Sequence, residues 1–118
     1  MMNGFCVELP LESGYFTTVR LTTGGLCALA GFDLESTEDF KVCVTESLLI
    51  LKRNGFKRVS ICFEMGEMLQ CTLAGVGEPT EKEDGFEDEI SYALLDALLG
   101  KVEFEKEQER VLKISFAA

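Results

Sequence analysis

The chain has no histidine anywhere in its 118 residues. That absence excludes zinc sites built on imidazole, and with them Ser-His-Asp and Cys-His catalysis. Any proton transfer would fall to a carboxylate, a lysine, a tyrosine or a thiol. No C-x-x-C pair occurs either. The five cysteines (Cys6, Cys27, Cys43, Cys62 and Cys71) are scattered singly among apolar neighbours. An all-thiolate metal site would need four of them gathered from separate elements, so the expectation is reduced thiols used as small core residues, and no metal. No apolar run approaches the roughly 18 residues of a membrane-spanning helix. The opening "MMNGFCVELP" sets no basic residue ahead of an apolar stretch, as a secretory signal would. A cytoplasmic protein without membrane contact is expected. Basic residues are scarce, 11 against 21 acidic ones for a net charge of −10, and nucleic acid needs a basic patch to hold its phosphates. Such a surface suits a basic protein partner, or serves solubility alone.

What is present fits one soluble domain over residues 1–118, with 47% apolar and 27% charged residues around one core. "FCVELP" alternates Phe5, Val7 and Leu9 against Cys6 and Glu8, which predicts a half-buried strand stopped by Pro10. "ESGYFTTVRLTTGGLCALAGF" sets Phe16, Val19, Leu26, Leu29 and Ala30 at helical spacing, with Ser13 as a cap and Gly31 at the far end. "TTGGL" lacks phosphate-loop spacing, so Gly24 and Gly25 are expected to permit close backbone packing. "ESTEDFKVCVTESLLILKRNG" predicts a second helix, opened by a Ser36–Asp39 capping box and closed by Lys52, Arg53 and Gly55. It is apolar on two sides and should lie between layers. "KRVSICFE" and "EMLQCTLA" form a hairpin about Gly66. After an acidic loop, "DEISYALLDALLG" is a helix with Ile90, Ala93, Leu94, Ala97 and Leu98 inward and Gly100 as its cap. The last two strands should oppose Val102 and Phe104 to Leu112, Ile114 and Phe116. The order β-α-α-β-β-α-β-β implies an α+β, two-layer sandwich: a mostly antiparallel sheet with three helices on one face.

That order, and several strings within it, resemble the histidine-kinase-like ATPase fold, specifically the small anti-sigma factors that are also serine kinases. The likeness is strongest over residues 15–64, where "TEDFKVCVTES" resembles the family's E-x-x-K-x-x-V-S-E-A run. In that family a glutamate of the second helix is the general base, and an asparagine four residues later holds magnesium. Both then face the same phosphates. Glu46 stands at the base position, either as a vestigial base or as a solvated acid. Ile50 stands at the asparagine position and offers a hard cation no oxygen. The family's D-x-G-x-G motif, whose aspartate receives the adenine amino group, corresponds to "AGVGEP": Gly75 replaces the aspartate and Gly77 keeps the turn. The glycine-rich motif that should open the last helix reads "GFEDEISYALL", with acids where a phosphate needs attraction. Arg20 falls at a position where sporulation-type members carry a partner-contacting arginine.

The resemblance therefore implies a regulator that binds a sigma factor or an anti-anti-sigma antagonist, with ATP and magnesium binding and kinase activity lost. The alternative is an active ATP-dependent serine/threonine-protein kinase anti-sigma factor. Family members dimerise, so a homodimer is also implied.

Overall fold

The period-two strings become the strands of one antiparallel sheet. The computed structural model describes residues 3–83, 87–99 and 101–118. Strand β1 (Asn3–Pro10) leads through a short 3-10 turn to helices α1 (Phe16–Leu29) and α2 (Leu34–Arg53). Strands β2 (Arg58–Met65) and β3 (Leu69–Val76), helix α3 (Glu87–Leu99), and strands β4 (Val102–Glu107) and β5 (Arg110–Ala117) follow. The spatial order is β1-β2-β3-β5-β4, so β1 and β4 are the edges. Val7 pairs with Ile61, Leu9 with Val59, and Leu73 with Ile114. These side chains share one face, where Val59, Ile61, Leu73 and Ile114 are fully buried. The helices cover that face. This is the two-layer α+β sandwich expected, and it is compatible with the histidine-kinase-like ATPase fold.

Helix α2 is the central helix. It packs against both other helices and against β3 and β5, and it buries Phe40, Cys43, Val44, Leu48, Ile50 and Leu51. Phe40 meets Phe32 and Phe116 edge-on, with centroids 5.7 and 5.2 Å apart, the geometry that opposes ring edge to ring face. Full burial of such side chains stabilises by about 1.5–3 kcal/mol each. Helix α3 is fastened to the edge strand by Tyr92, whose ring meets Phe104 edge-on at 5.1 Å.

Several local expectations are corrected. Ser13 opens the 3-10 turn and makes no cap; α1 starts at Phe16 without a side-chain cap. Its buried face is Phe16, Val19, Thr23 and Cys27, whereas Leu29 and Ala30 are exposed. Thr23 can lie inside because its hydroxyl donates to the Val19 carbonyl at 2.8 Å. Helix α2 is capped by Asp33 rather than by Ser36: the Asp33 carboxylate accepts the Ser36 N–H at 2.8 Å, and that bond holds its carboxyl below the usual value. In α3 the inward residues are Asp88, Ser91 and Leu95, while Ile90 and Leu94 are exposed. A register shift between Glu105 and Lys106 gives Val111 the core position expected for Leu112. The Gly100 cap lies outside the described residues.

Neither glycine of "TTGGL" serves close packing. A Cβ on Gly24 would make ordinary contact with Lys41 at 3.8 Å, and one on Gly25 would meet nothing. Gly25→Ala is therefore expected to stabilise the domain by about 0.5–1 kcal/mol, the helix-interior difference between these residues. Thermal denaturation checks it, and a lowered midpoint would contradict it.

The cysteines divide into two classes. Cys27, Cys43 and Cys71 are buried, as expected. Burial pushes the Cys27 thiol up to about 11 and the Cys43 thiol up to about 12, so both are protonated and unreactive near neutrality. Cys6 and Cys62 are not core residues. They face each other across the β1–β2 ladder, on the sheet face away from the helices, and are joined as a disulfide. The strand alternation that turns Val7 and Ile61 toward the core turns their neighbours outward.

Candidate functional site

Two places on α2 carry the residues singled out from sequence. The first is a shallow groove of about 290 Å³ between α1 and α2, lined by Arg20, Glu38, Lys41, Val42, Thr45 and Glu46. Lys41 pairs with Glu38 at 3.2 Å, one helical turn away. Thr45 spends its hydroxyl on the Lys41 carbonyl, at 2.9 Å. Among the described residues Arg20 reaches only the Thr17 hydroxyl, at 3.4 Å, and it otherwise borders the groove. Glu46 is half-buried there, and no described cation forms an ion pair with it. Leu21 on α1 and Leu34 on α2 are 72% and 78% exposed, large apolar side chains on an otherwise acidic surface.

The second place is the carboxyl end of α2. A helix leaves its last carbonyls without intrahelical donors, and a buried end must find them elsewhere. Here each has one. The Ile50 carbonyl accepts from the Asn54 N–H at 3.0 Å and from the Asn54 side-chain amide at 2.7 Å. The Lys52 carbonyl accepts from Gly55, and the Leu51 carbonyl from Phe56. The Arg53 carbonyl accepts from the N–H of Glu83 at 2.8 Å, and the Asn54 carbonyl from Arg110 at 2.7 Å. Gly55 turns the chain with a φ of +95°, and a Cβ there would collide with the backbone of Thr80. Its carbonyl takes the Thr80 N–H at 2.8 Å. The Asn54 side chain is fully buried, and its carbonyl oxygen accepts the Val111 N–H at 3.0 Å. One amide thus ties α2 to β5, and the loop after β3 is strapped over both.

Beside this knot, Arg53 crosses to α3. Its guanidinium pairs with Asp88 and donates to the Ser91 hydroxyl at 2.7 Å, with the two charged side chains only 16% and 12% exposed. The acid expected to face a phosphate is therefore held by an arginine of α2. Glu87 and Glu89 stay exposed in the first turn of α3, where they complement its dipole. The preceding Gly85 and Phe86 lie outside the described residues.

The structure thus brings Arg20 and Glu46 together and separates Glu46 from the rest. Ile50, one turn further along, is fully buried in the core. Gly75 and Gly77 border a different groove, of about 520 Å³, with Phe56, Pro79, Arg110 and Leu112. Gly75 lies directly against Phe56: a Cβ built on it would fall well inside contact with the ring. Gly77 has a φ of +84° and makes the turn expected of it. Among the described residues no three Cys, Asp or Glu side chains converge as a metal-binding group. Sequence reasoning missed Asn54, Phe56, Ser91 and Arg110, and it missed the pairing of Asp88 with Arg53. The only signal for them was the Arg53-Asn54-Gly55 helix ending, and it says nothing of which distant partners the ending takes.

Comparison with known proteins points one way. The chain is similar to the serine-protein kinase RsbW of Staphylococcus epidermidis, being 25% identical over 84 residues that make up 65% of this chain and 53% of that protein. It is similar to the serine-protein kinase RsbW of Listeria monocytogenes serotype 4a, 32% identical over 57 residues, 48% of this chain and 36% of that one. It therefore spans about half the length of the first relative and about a third of the second. No family model matches it. Among the described residues no helix is long and apolar enough to cross a membrane. The likeness is one to serine-protein kinases over part of their length, on a sandwich compatible with the ATPase fold.

Proposed function

We propose that this chain is a non-catalytic regulator of the anti-sigma type, which acts by binding a sigma factor or its antagonist. One observation carries the reading: the positions that correspond to the family's general base, metal ligand and adenine contact do not line a common cleft. Ile50 is sealed in the core, Gly75 is covered by the Phe56 ring, and Asp88 is engaged by Arg53. These residues do not fit ATP with magnesium. A hard cation needs oxygen ligands, and residue 50 supplies neither oxygen nor access. An adenine at Gly75 would have to displace a ring that is 4% exposed. Glu46, with no metal ligand one turn away, keeps a place beside Arg20 in a polar groove instead.

That groove is where a protein partner would be held. Arg20 supplies a cation not spent on an internal carboxylate among the described residues, and Val42, which lines the groove, supplies exposed apolar area. An interface commonly centres on an arginine and large apolar side chains inside a polar rim. A homodimer that doubles this surface belongs to the same proposal.

Titration calorimetry with ATP and magnesium tests the loss of nucleotide binding. No heat of binding is expected at roughly 100 μM ligand, and a dissociation constant at or below that value would overturn the reading in favour of an active kinase. Binding to purified sigma factors from the same cell tests the rest. One should be retained, with Arg20→Glu weakening it by about tenfold or more through charge reversal. Retention of none, or equal retention by the variant, would refute the assignment of that groove.

A further inference from the structure

The outer face of the sheet carries chemistry that the regulatory reading leaves unused. Cys6 and Cys62 are direct partners in the β1–β2 register, with Cα atoms 4.1 Å apart and their sulfurs bonded. Cys6 is exposed and Cys62 half-buried. Their outward neighbours are Glu8, Ser60, Glu64 and Thr72, small or polar side chains that put no apolar cover over the sulfurs. The other three thiols lie on the helix side of the sheet, buried and protonated. A small thiol or disulfide arriving from solvent therefore meets one pair and no other cysteine. Sulfur exchange follows access in this way.

The bond sits at a consequential place. Strand β1 is a sheet edge, so its only ladder is with β2. Beyond that ladder it is held by Leu9 in the core and Val7 packed against it, by an exposed ion pair between Glu8 and Arg58, at 3.0 Å, and by the bond from Leu11 to the Lys57 carbonyl that follows the strand. An exposed pair of this kind adds little. The disulfide closes a loop with a sequence separation of 56, which contains α1 and α2 entire. Cross-linking so long a loop removes much of the freedom of the unfolded chain.

We propose that Cys6 and Cys62 form a reversible thiol–disulfide site that exchanges with low-molecular-weight disulfides, and that its oxidation fastens β1 to the sheet. In the forward step one thiolate attacks a disulfide such as glutathione disulfide, giving a mixed disulfide and releasing one glutathione. The second cysteine then attacks the protein-bound sulfur, closing the Cys6–Cys62 bond and releasing the second glutathione. The two protein thiols lose two electrons and two protons, and the small disulfide takes them up. This inference is independent of the regulatory reading, and nucleotide or sigma-factor binding does not decide it.

The test equilibrates the whole chain at graded ratios of reduced to oxidised glutathione, alkylates it while folded, and measures intact mass with peptide mapping. At oxidising ratios the folded chain should take no alkyl group and be lighter by two hydrogens. At reducing ratios it should take two, at Cys6 and Cys62, with Cys27, Cys43 and Cys71 reacting only after unfolding. Reduction should also lower Tm by roughly 10 °C, given the size of the loop. The doubly substituted Cys6→Ser, Cys62→Ser chain should show a Tm that no longer responds to reductant. The proposal fails if all five thiols are free at every ratio, if another cysteine is mapped into the bond, or if the bond resists reduction in the folded chain. It fails equally if reduction leaves Tm unchanged.

Discussion

Ile50→Asn should lower the unfolding free energy by about 3–7 kcal/mol. Truncating a fully buried aliphatic side chain costs about 2–4 kcal/mol, and a buried amide without partners costs about 1–3 kcal/mol more. Ile50 is fully buried, and its own carbonyl already holds two donors from Asn54. Domains of this size have only about 5–15 kcal/mol in total, so the variant would lose a large share of it. Urea denaturation measures the effect. A loss under about 1 kcal/mol would mean that residue 50 reaches water, and the sealed-cleft argument would go with it. The substitution that restores the family's metal ligand is thus expected to remove the fold before it restores a ligand. Gly75→Asp meets the same obstacle in milder form, because it overpacks the Phe56 ring.

Arg53→Ala is the second large effect, at about 3–5 kcal/mol, the usual cost of breaking a mostly buried pair by removing one side. The loss arises less from the missing attraction than from Asp88, left within the protein without its cation. A paired change of Arg53→Met with Asp88→Leu should recover most of the loss, since apolar replacements of similar volume remove both charges together. If the single and double variants are equally unstable, the two side chains are not coupled, and α3 is held to α2 by packing alone.

The layers, the element order and the inward strand residues were legible because strand periodicity in a half-buried sheet is strict. Val59, Ile61, Leu73 and Ile114 all lie where alternation sends them. The same alternation already pointed Cys6 and Cys62 outward. Composition argued against it by treating every cysteine as a core residue, and the local pattern was the better guide. Helix faces were read less well. In α3 the face toward α2 is carried by Asp88 and Ser91, two polar residues that become interior only because Arg53 arrives from 35 residues away. No window of sequence contains both ends of that contact. The same limit hid the neighbourhood of Gly75. The departure from the family motif is plain in the string "AGVGEP", but the ring that covers it belongs to Phe56, in the connection between α2 and β2 and nearly twenty residues earlier. Glu46 and Arg20 were found separately, for different reasons, and only the antiparallel packing of α1 on α2 brings them to one groove.

The knot at the end of α2 makes residues 78–83 unlike an ordinary connecting loop. Surface connections usually tolerate insertion and deletion because their backbone is satisfied by water. This one lends its amides at Thr80 and Glu83 to carbonyls of residues 55 and 53, so its length is fixed by a helix end it follows in sequence by more than twenty residues. Chain-length variation among diverging copies of this domain should therefore fall outside those positions. Swapping in a longer segment from a relative would strip the helix end of its donors rather than simply enlarge the surface.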